Sequence, residues 1–257
     1  MSDARGQFDD ISWYDQFTFM ELADTKTFLE AAGLQRDDSV LVTCCGPGRE
    51  TIVAAQLARK VTAFDKDERM LSAARQNASK RNLSNIDFRR MGWESVLPGQ
   101  NMKKHDVVLA LRNPAMRNPA KLSALANRKV VLQVMADAPF IPQLIDIIYD
   151  GCPAPDAAGT DASKNLAGSP SRPTYLELMT LAHDAGFMPN ARILPERWRR
   201  TFTSHAEARA FLCGLKPERS AGHEDRVMEN CTPFLTAKNG GIEFCIESRA
   251  AIIWWDL

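Results

Sequence analysis

The chain has 257 residues, of which 45% are hydrophobic and 25% are charged, a composition typical of a globular protein. Lysine plus arginine and aspartate plus glutamate number 32 each, and this balance argues against a broad basic surface for nucleic acid. The six cysteines are scattered except for the adjacent pair Cys44 and Cys45 and lack a C-x-x-C spacing, which predicts reduced thiols and no metal site. The polar start and the short apolar runs predict a cytoplasmic protein without membrane contact.

The first predicted element is a helix over residues 11–34, which Gly33 would end. An apolar strand over residues 40–42 then runs into a glycine turn, and a helix over residues 50–59 follows. Four more strands are predicted downstream, separated by helical segments, at residues 61–64, 86–88, 107–111 and 130–134. Strands that alternate with helices indicate a parallel sheet covered on both faces.

The regular pattern stops at residues 151–173, where four prolines and three glycines accompany a single large apolar residue. Such a segment predicts either a disordered insertion or a lid over a site. Beyond it, helices are predicted at residues 175–185 and 206–215, with a strand at 190–202 between them. The alternating run over residues 242–254 predicts a final, half-buried antiparallel strand.

The most informative part of the sequence joins the glycine turn at Gly46 and Gly48 to an acid that follows the next strand. Asp65 comes 17 residues after Gly48, at the predicted end of that strand. A glycine turn lets the backbone pass close to a ligand, and a carboxylate at this place can bind both ribose hydroxyls of a nucleoside. The pair therefore predicts an adenosine-containing ligand.

The spacing favours some adenosine ligands over others. A dinucleotide-binding turn needs a third glycine, and that position is Thr51 here, so an NAD-dependent oxidoreductase is disfavoured. No Gly-x-x-x-x-Gly-Lys segment occurs in the sequence, which argues against a nucleoside triphosphate site.

Four segments together resemble the class I S-adenosylmethionine-dependent methyltransferases, a family with a Rossmann-like fold. VLVTCCGPGRET at residues 40–51 is similar to the first motif of the family, and VTAFDKDERML at residues 61–71 is similar to the second. FRRMGWESV at residues 88–96 resembles the third-strand motif, and HDVVLALR at residues 105–112 resembles the fourth strand. The resemblance covers about residues 36–257 and depends on the order of several motifs rather than on any single one.

The resemblance implies that S-adenosylmethionine is the methyl donor and S-adenosylhomocysteine the product. The residues implied in donor binding are Cys44, Cys45, Gly46, Pro47, Gly48, Asp65, Lys66, Met70, Gly92, Trp93, Glu94 and Arg112. Residues that could line the acceptor side are Trp13, Tyr14 and Asn113. No catalytic residue is identified, because the donor's sulfonium is already activated and the protein need only align the two reactants.

Several of these positions also have purely structural interpretations. Met70 and Trp93 could pack in the core, and Trp13 and Tyr14 could pack as ordinary helix residues. Asn113-Pro114 matches only half of the Asn-Pro-Pro-Tyr motif of amino-group methyltransferases.

Two positions depart from the family pattern. Val42 stands where the family usually has an acidic residue, and Cys44 stands at a usual glycine, where a side chain is tolerated only without positive φ. These departures leave open a donor-binding protein without transferase activity.

The sequence thus predicts an α/β, Rossmann-like three-layer sandwich with a mostly parallel seven-stranded sheet and an antiparallel last strand. An N-terminal helical cap is expected over residues 1–35 and a methyltransferase domain over residues 36–257. The predicted function is in-line methyl transfer to a small-molecule acceptor. The alternative is an RNA methyltransferase that uses the basic cluster at residues 197–200, which is otherwise a solvated strand edge. The sequence indicates neither the acceptor atom nor the oligomeric state.

Overall fold

The computed structural model describes residues 11–136, 141–152 and 173–257, apart from the side chains of residues 11–13, 21–23 and 141–143. Within these ranges the α-helices are α1 (Ile11–Thr18), α2 (Leu22–Ala31), α3 (Arg49–Leu57), α4 (Glu68–Ser79), α5 (Pro119–Ala124), α6 (Ile141–Ile148), α7 (Tyr175–Asp184), α8 (His205–Gly214), α9 (Pro217–Ser220) and α10 (Glu224–Cys231). None of these helices combines the length and the apolar character that a bilayer crossing requires.

The strands of the described chain are β1 (Ser39–Val42), β2 (Lys60–Asp65), β3 (Ile86–Arg90), β4 (His105–Leu111), β5 (Ala126–Met135), β6 (Asn190–Phe202), β7 (Leu235–Lys238) and β8 (Gly241–Asp256). They form one sheet with the order β3-β2-β1-β4-β5-β8-β6, and β7 pairs with β8 beside this path. The first five strands are parallel, whereas β8 runs antiparallel to β5. The carboxyl ends of β1 to β4 therefore meet at one edge of the sheet.

The chain divides into two compact units, and strands β6 and β8 each contribute residues to both of them. The first, called the sheet unit here, comprises Glu21–Ala136, Thr174–Glu196 and Arg249–Leu257. It has an apolar layer on each side of the sheet. Leu41, Val108 and Trp255 belong to one layer, and Val40, Leu109 and Ile252 belong to the other.

The second unit, called the helical unit here, takes its described residues from Met1–Met20, Asp137–Pro173 and Arg197–Ser248. Its core is rich in aromatic side chains, and the Phe17 and Trp198 rings lie 4.8 Å apart between centroids. Tyr149 is fully buried, and its hydroxyl accepts a 2.8 Å hydrogen bond from the Lys216 amide. The β7–β8 hairpin belongs to the same unit.

The predicted fold class is confirmed, with one difference in strand number. The sheet has eight strands rather than seven, because the short segment Leu235–Lys238 pairs with the start of β8. The predicted helix over residues 11–34 is interrupted by a short 3-10 turn at Phe19–Glu21.

The predicted domain boundary at residue 35 remains a prediction. The compact units divide the chain elsewhere, between Met20 and Glu21, because α2 contributes Phe28 and Leu29 to the core of the sheet unit. The insertion or lid predicted over residues 151–173 falls almost wholly outside the described residues.

Candidate functional site

The glycine turn links the end of β1 to the start of α3 in the sheet unit. Gly46 and Gly48 have φ values of +54° and +94°, a region that favours glycine. Cys44 also has a positive φ, +47°. The sequence predicted that a side chain would be tolerated here only without positive φ, and the structure does not meet that condition. Cys44 therefore holds a backbone conformation that costs free energy for any residue with a Cβ.

The two glycines are required for different reasons. A Cβ placed on Gly46 would meet nothing within 4 Å, so the space above this residue is open. A Cβ on Gly48 would lie 3.0 Å from the Cβ of Ala74 in α4, so Gly48 allows α4 to approach the turn. The Pro47 carbonyl accepts a hydrogen bond of 3.2 Å from the Asn77 side chain of the same helix. Gly46 thus faces free space, whereas Gly48 lies in a packed contact.

Asp65, the last residue of β2, lies next to the turn. Its Oδ2 accepts a 3.0 Å hydrogen bond from the Gly46 amide, and its Oδ1 accepts a 2.9 Å bond from the Asp67 amide. The Asp65 side chain is half-buried and the neighbouring Lys66 is exposed. A carboxylate oxygen has two lone pairs, so each oxygen of Asp65 retains acceptor capacity for another donor.

Several predicted donor-binding residues converge on Cys44. Burial, followed by the nearby Asp65 and Glu94 carboxylates, raises the pKa of the Cys44 thiol to about 12, whereas Lys66 acts to lower it. Burial and Asp65 likewise raise the pKa of the Cys45 thiol. These electrostatic influences show that residues from the ends of β1, β2 and β3 are close together. The high pKa values also argue against either cysteine as a nucleophile at neutral pH.

The segment after β3 contributes Gly92, Trp93 and Glu94. Gly92 is half-buried and Glu94 is exposed, whereas only 9% of Trp93 is exposed, and it packs in one apolar layer of the sheet unit. The Lys121 ammonium lies 4.4 Å from the centre of the Trp93 ring and donates to the Trp93 carbonyl. Met70, also predicted to contact the donor, is 7% exposed on α4. Trp93 and Met70 are thus largely packed within the protein.

The two residues that follow β4 have side chains that are bound by other strands. Asn113 donates a 2.7 Å hydrogen bond to the carbonyl of Thr43, the residue before Cys44. Arg112 has φ of +51°, and its guanidinium forms an ion pair with the fully buried Glu196 of β6. Gln133 of β5 donates a 2.9 Å hydrogen bond to the same carboxylate.

The remaining predicted residues lie in the helical unit. Tyr14 is half-buried and packs against that unit's aromatic core, and the side chain of Trp13 is outside the described residues. The interpretation of residues 197–200 as a solvated edge is wrong for Trp198, which is fully buried. It is also incomplete for Arg200, whose guanidinium lies 3.9 Å from the centre of the Phe211 ring and whose pKa burial lowers.

Three residues of this region were missed by the sequence-based prediction: Thr43, Lys121 and Glu196. Thr43 lies within the recognised motif at residues 40–51 and could have been noted there as a hydroxyl residue. Lys121 and Glu196 carry no local signal, because their partners are 28 and 84 residues away in the sequence.

The methyltransferase domain family matches residues 40–134, the segment from β1 to β5. The chain is also 30% identical over 83 residues to the 23S rRNA (uracil(1939)-C(5))-methyltransferase RlmD of Aeromonas salmonicida. That match covers 32% of this chain and only 19% of the relative, so the two proteins share a segment rather than a whole length.

Two solved structures resemble the fold over most of the chain. One is the BH2331 protein of Bacillus halodurans, a candidate methyltransferase, with a TM-score of 0.53 and 14% identity. The other is the YcgJ protein of Bacillus subtilis, with a TM-score of 0.51 and 14% identity. Each similarity covers 91% of this chain and 98% of the other. At this level of identity the similarity describes the fold.

Proposed function

We propose that this chain, whose residues 40–134 match the methyltransferase domain family, transfers a methyl group from S-adenosylmethionine to a small-molecule acceptor. The observation that carries the proposal is the half-buried Asp65 carboxylate beside Gly46, whose Cβ position opens onto free space. An acid at the end of β2 next to a glycine turn at the end of β1 is the arrangement that binds an adenosine ribose.

The residues present fit such a donor. Asp65 would accept hydrogen bonds from the ribose hydroxyls with the lone pairs that the Gly46 and Asp67 amides leave available. The open side of Gly46 would allow the donor to pass close to the backbone. Lys66 and Glu94 are exposed nearby and would contact the polar parts of the nucleoside or of the methionine moiety.

The proposed reaction requires alignment more than acid–base chemistry. A lone pair of the acceptor forms a bond to the methyl carbon while the bond from that carbon to sulfur breaks, and its electron pair stays on sulfur to give S-adenosylhomocysteine. The sulfonium supplies the activation when the donor is bound. The task of the protein is to hold the donor in place and to exclude water.

A small-molecule acceptor is preferred to RNA, even though the partial relative RlmD is an rRNA methyltransferase. Arg197 and Arg199 are the arginines that could have bound phosphate groups. Burial, followed by Glu243 and Glu247, raises the pKa of the Cys245 thiol, whereas the nearby Arg197 and Arg199 act to lower it. The arginines of this strand therefore share their surroundings with carboxylates, which reduces their attraction for a nucleic acid backbone.

Isothermal titration calorimetry with S-adenosylmethionine, S-adenosylhomocysteine and NADH tests the donor assignment. We expect the chain to bind S-adenosylmethionine and S-adenosylhomocysteine and not to bind NADH. Binding of NADH alone would instead favour an oxidoreductase, and no binding of either adenosyl compound would end the proposal.

Transfer of label from methyl-labelled donor to a cell extract then separates the alternatives. Label in small molecules supports the proposal, label in RNA supports the alternative, and donor binding without label indicates a protein that does not catalyse transfer.

A further inference from the structure

We infer that Asn113 is a positioning residue that fixes the glycine turn from the side of β4, rather than a residue that binds the methyl acceptor. This inference rests on the proposed function, because the turn is the proposed donor site. It concerns the residue that the sequence offered as half of an acceptor-binding Asn-Pro-Pro-Tyr motif.

The Asn113 side chain connects two loops of the sheet unit. Its Nδ2 lies 2.7 Å from the Thr43 carbonyl oxygen and 3.2 Å from the Thr43 hydroxyl oxygen. Its Oδ1 accepts a 3.0 Å hydrogen bond from the Ala115 amide and lies 3.4 Å from the same hydroxyl. The Thr43 hydroxyl is also 3.1 Å from the Leu109 carbonyl oxygen. The loop after β4 is thus tied to the last residue before the strained Cys44.

These contacts use the hydrogen-bonding capacity of the Asn113 amide. A carboxamide offers two N–H donors and one oxygen with two lone pairs. Both donors have acceptors on Thr43, and the oxygen has the Ala115 amide and the Thr43 hydroxyl as neighbours. An acceptor molecule would have to displace bonds within the protein before it could bind this amide.

The hydrogen bonds from Asn113 to Thr43 matter because of the backbone conformation of the turn. Cys44 has a positive φ, and a residue with a Cβ keeps such a conformation only when the surrounding structure holds it. Asn113 bonds the carbonyl of Thr43 on one side of Cys44, and Asp65 bonds the amide of Gly46 on the other side. The two side chains therefore hold the chain at the residue before Cys44 and at the second residue after it.

Asn118 provides a matched control within the same loop. Asn113 and Asn118 each precede a proline, and each caps a short helix, by accepting from the Ala115 amide and the Lys121 amide respectively. Asn118 is exposed, and the hydrogen bond that its side chain makes within the described residues is that cap. Asn118→Asp therefore reproduces the chemical change at a cap that has no bond to the turn.

The test compares Asn113→Asp, Thr43→Val and Asn118→Asp with the unaltered full chain. Aspartate retains the cap, because its oxygen still accepts from the amide. The substitution removes the hydrogen bond that Asn113 donates to the Thr43 carbonyl and places a negative charge next to that carbonyl oxygen. Two quantities are measured: the amide hydrogen exchange of Cys45, Gly46 and Gly48, and the dissociation constant of S-adenosylhomocysteine by calorimetry.

We expect Asn113→Asp to accelerate exchange at the three amides and to weaken S-adenosylhomocysteine binding about tenfold, the effect of a lost hydrogen bond of ordinary strength. Thr43→Val should produce part of both effects, and Asn118→Asp neither. Unchanged exchange in Asn113→Asp, or equal effects in Asn118→Asp, would overturn the inference that Asn113 positions the turn. If the unaltered chain binds no S-adenosylhomocysteine, the proposed function fails, and the exchange rates still decide whether Asn113 holds the turn.

Discussion

The Asp65 carboxylate accepts a 3.0 Å hydrogen bond from the Gly46 amide. The side chain proposed to bind the ribose therefore also holds the turn against which the donor would bind. Its other oxygen accepts from the Asp67 amide, just before α4. One side chain therefore connects the ends of two neighbouring strands to the start of a helix. A substitution at Asp65 affects the shape of the site as well as its contacts with a ligand.

The variant Asp65→Asn is expected to lose donor affinity and to remain folded. The amide side chain has a single oxygen, so it cannot accept from Gly46 and Asp67 and also bind two ribose hydroxyls. We expect a loss of about 1.5–3 kcal/mol in binding free energy, the range for hydrogen bonds to a charged group. Calorimetry with S-adenosylhomocysteine measures it, and circular dichroism checks the fold.

Asp87→Asn is the matched control for this variant. Asp87 lies on the neighbouring strand β3, and its carboxylate forms an exposed ion pair with Arg89. The control should bind S-adenosylhomocysteine like the unaltered chain. An equal affinity in Asp65→Asn and Asp87→Asn would mean that the ribose assignment is wrong.

A second prediction concerns the strained backbone at Cys44. With φ of +47°, this position should tolerate glycine better than alanine, because alanine keeps the Cβ that makes the left-handed region unfavourable. We expect Cys44→Gly to be more stable than Cys44→Ala by about 1 kcal/mol. Chemical denaturation of both variants in the presence of a reducing agent gives the difference.

The same pair of substitutions at Cys245 serves as the control. Cys245 lies inside the extended strand β8, where glycine gives up more conformational freedom than alanine does. The order of stability should therefore reverse, with alanine above glycine. If alanine is also the more stable substitution at Cys44, the turn does not require a left-handed residue there.

The regular part of the fold was predictable because its elements follow simple periodic patterns. The apolar strand β1, the acid at the end of β2 and the alternating strand β8 each have a local signature in the sequence, and all three are confirmed. The β7 strand was missed because Leu235–Lys238 has only four residues, too few for a clear periodic pattern, and is recognised as a strand by its pairing with β8. The helix α10 was missed because Glu224–Cys231 is short and charged.

The candidate site was predictable to a different depth at different residues. Motif order brought Gly46, Asp65 and Glu94 to the same edge of the sheet, because the carboxyl ends of parallel strands meet there. The partners of the residues after β4 could not be predicted. Asn113 bonds a residue 70 positions away, and Arg112 pairs with one 84 positions away. No local spacing encodes such contacts, so an acceptor role and a structural role looked alike in the sequence.

A third prediction is that stability falls with rising pH above about pH 9. Burial raises the pKa of the Cys44 and Cys231 thiols from 9.0 to about 12 in the folded chain. Between these values the folded state keeps protons that the unfolded chain releases. The contribution is therefore complete below pH 9 and is lost as the pH rises towards 12, by about 1.4 kcal/mol per pH unit for each thiol.

Guanidinium chloride denaturation at several pH values between about pH 7 and about pH 10.5, with a reducing agent, measures this dependence. Cys231→Ala removes one of the thiols whose pKa is raised, so the stability of this variant should fall less steeply over the same interval. A stability that rises or stays constant above about pH 9 in the unaltered chain contradicts the raised pKa values.

The last prediction concerns the buried ion pair of Arg112 and Glu196. Only 9% of the Arg112 side chain is exposed and none of the Glu196 side chain is, so loss of one charge leaves the other within the protein. We expect Glu196→Gln to lower the free energy of unfolding by about 3 kcal/mol, the lower end for a broken buried pair, since Gln133 can still donate to the remaining oxygen. The double variant Arg112→Met with Glu196→Leu should recover much of this loss, because apolar side chains of similar size remove both charges together.

The control is Asp225→Asn in the surface pair with Arg209, where 90% of the Asp225 side chain is exposed, and it should leave stability nearly unchanged. If Glu196→Gln and Asp225→Asn have equal effects in chemical denaturation, the Arg112–Glu196 pair contributes no more than a surface contact.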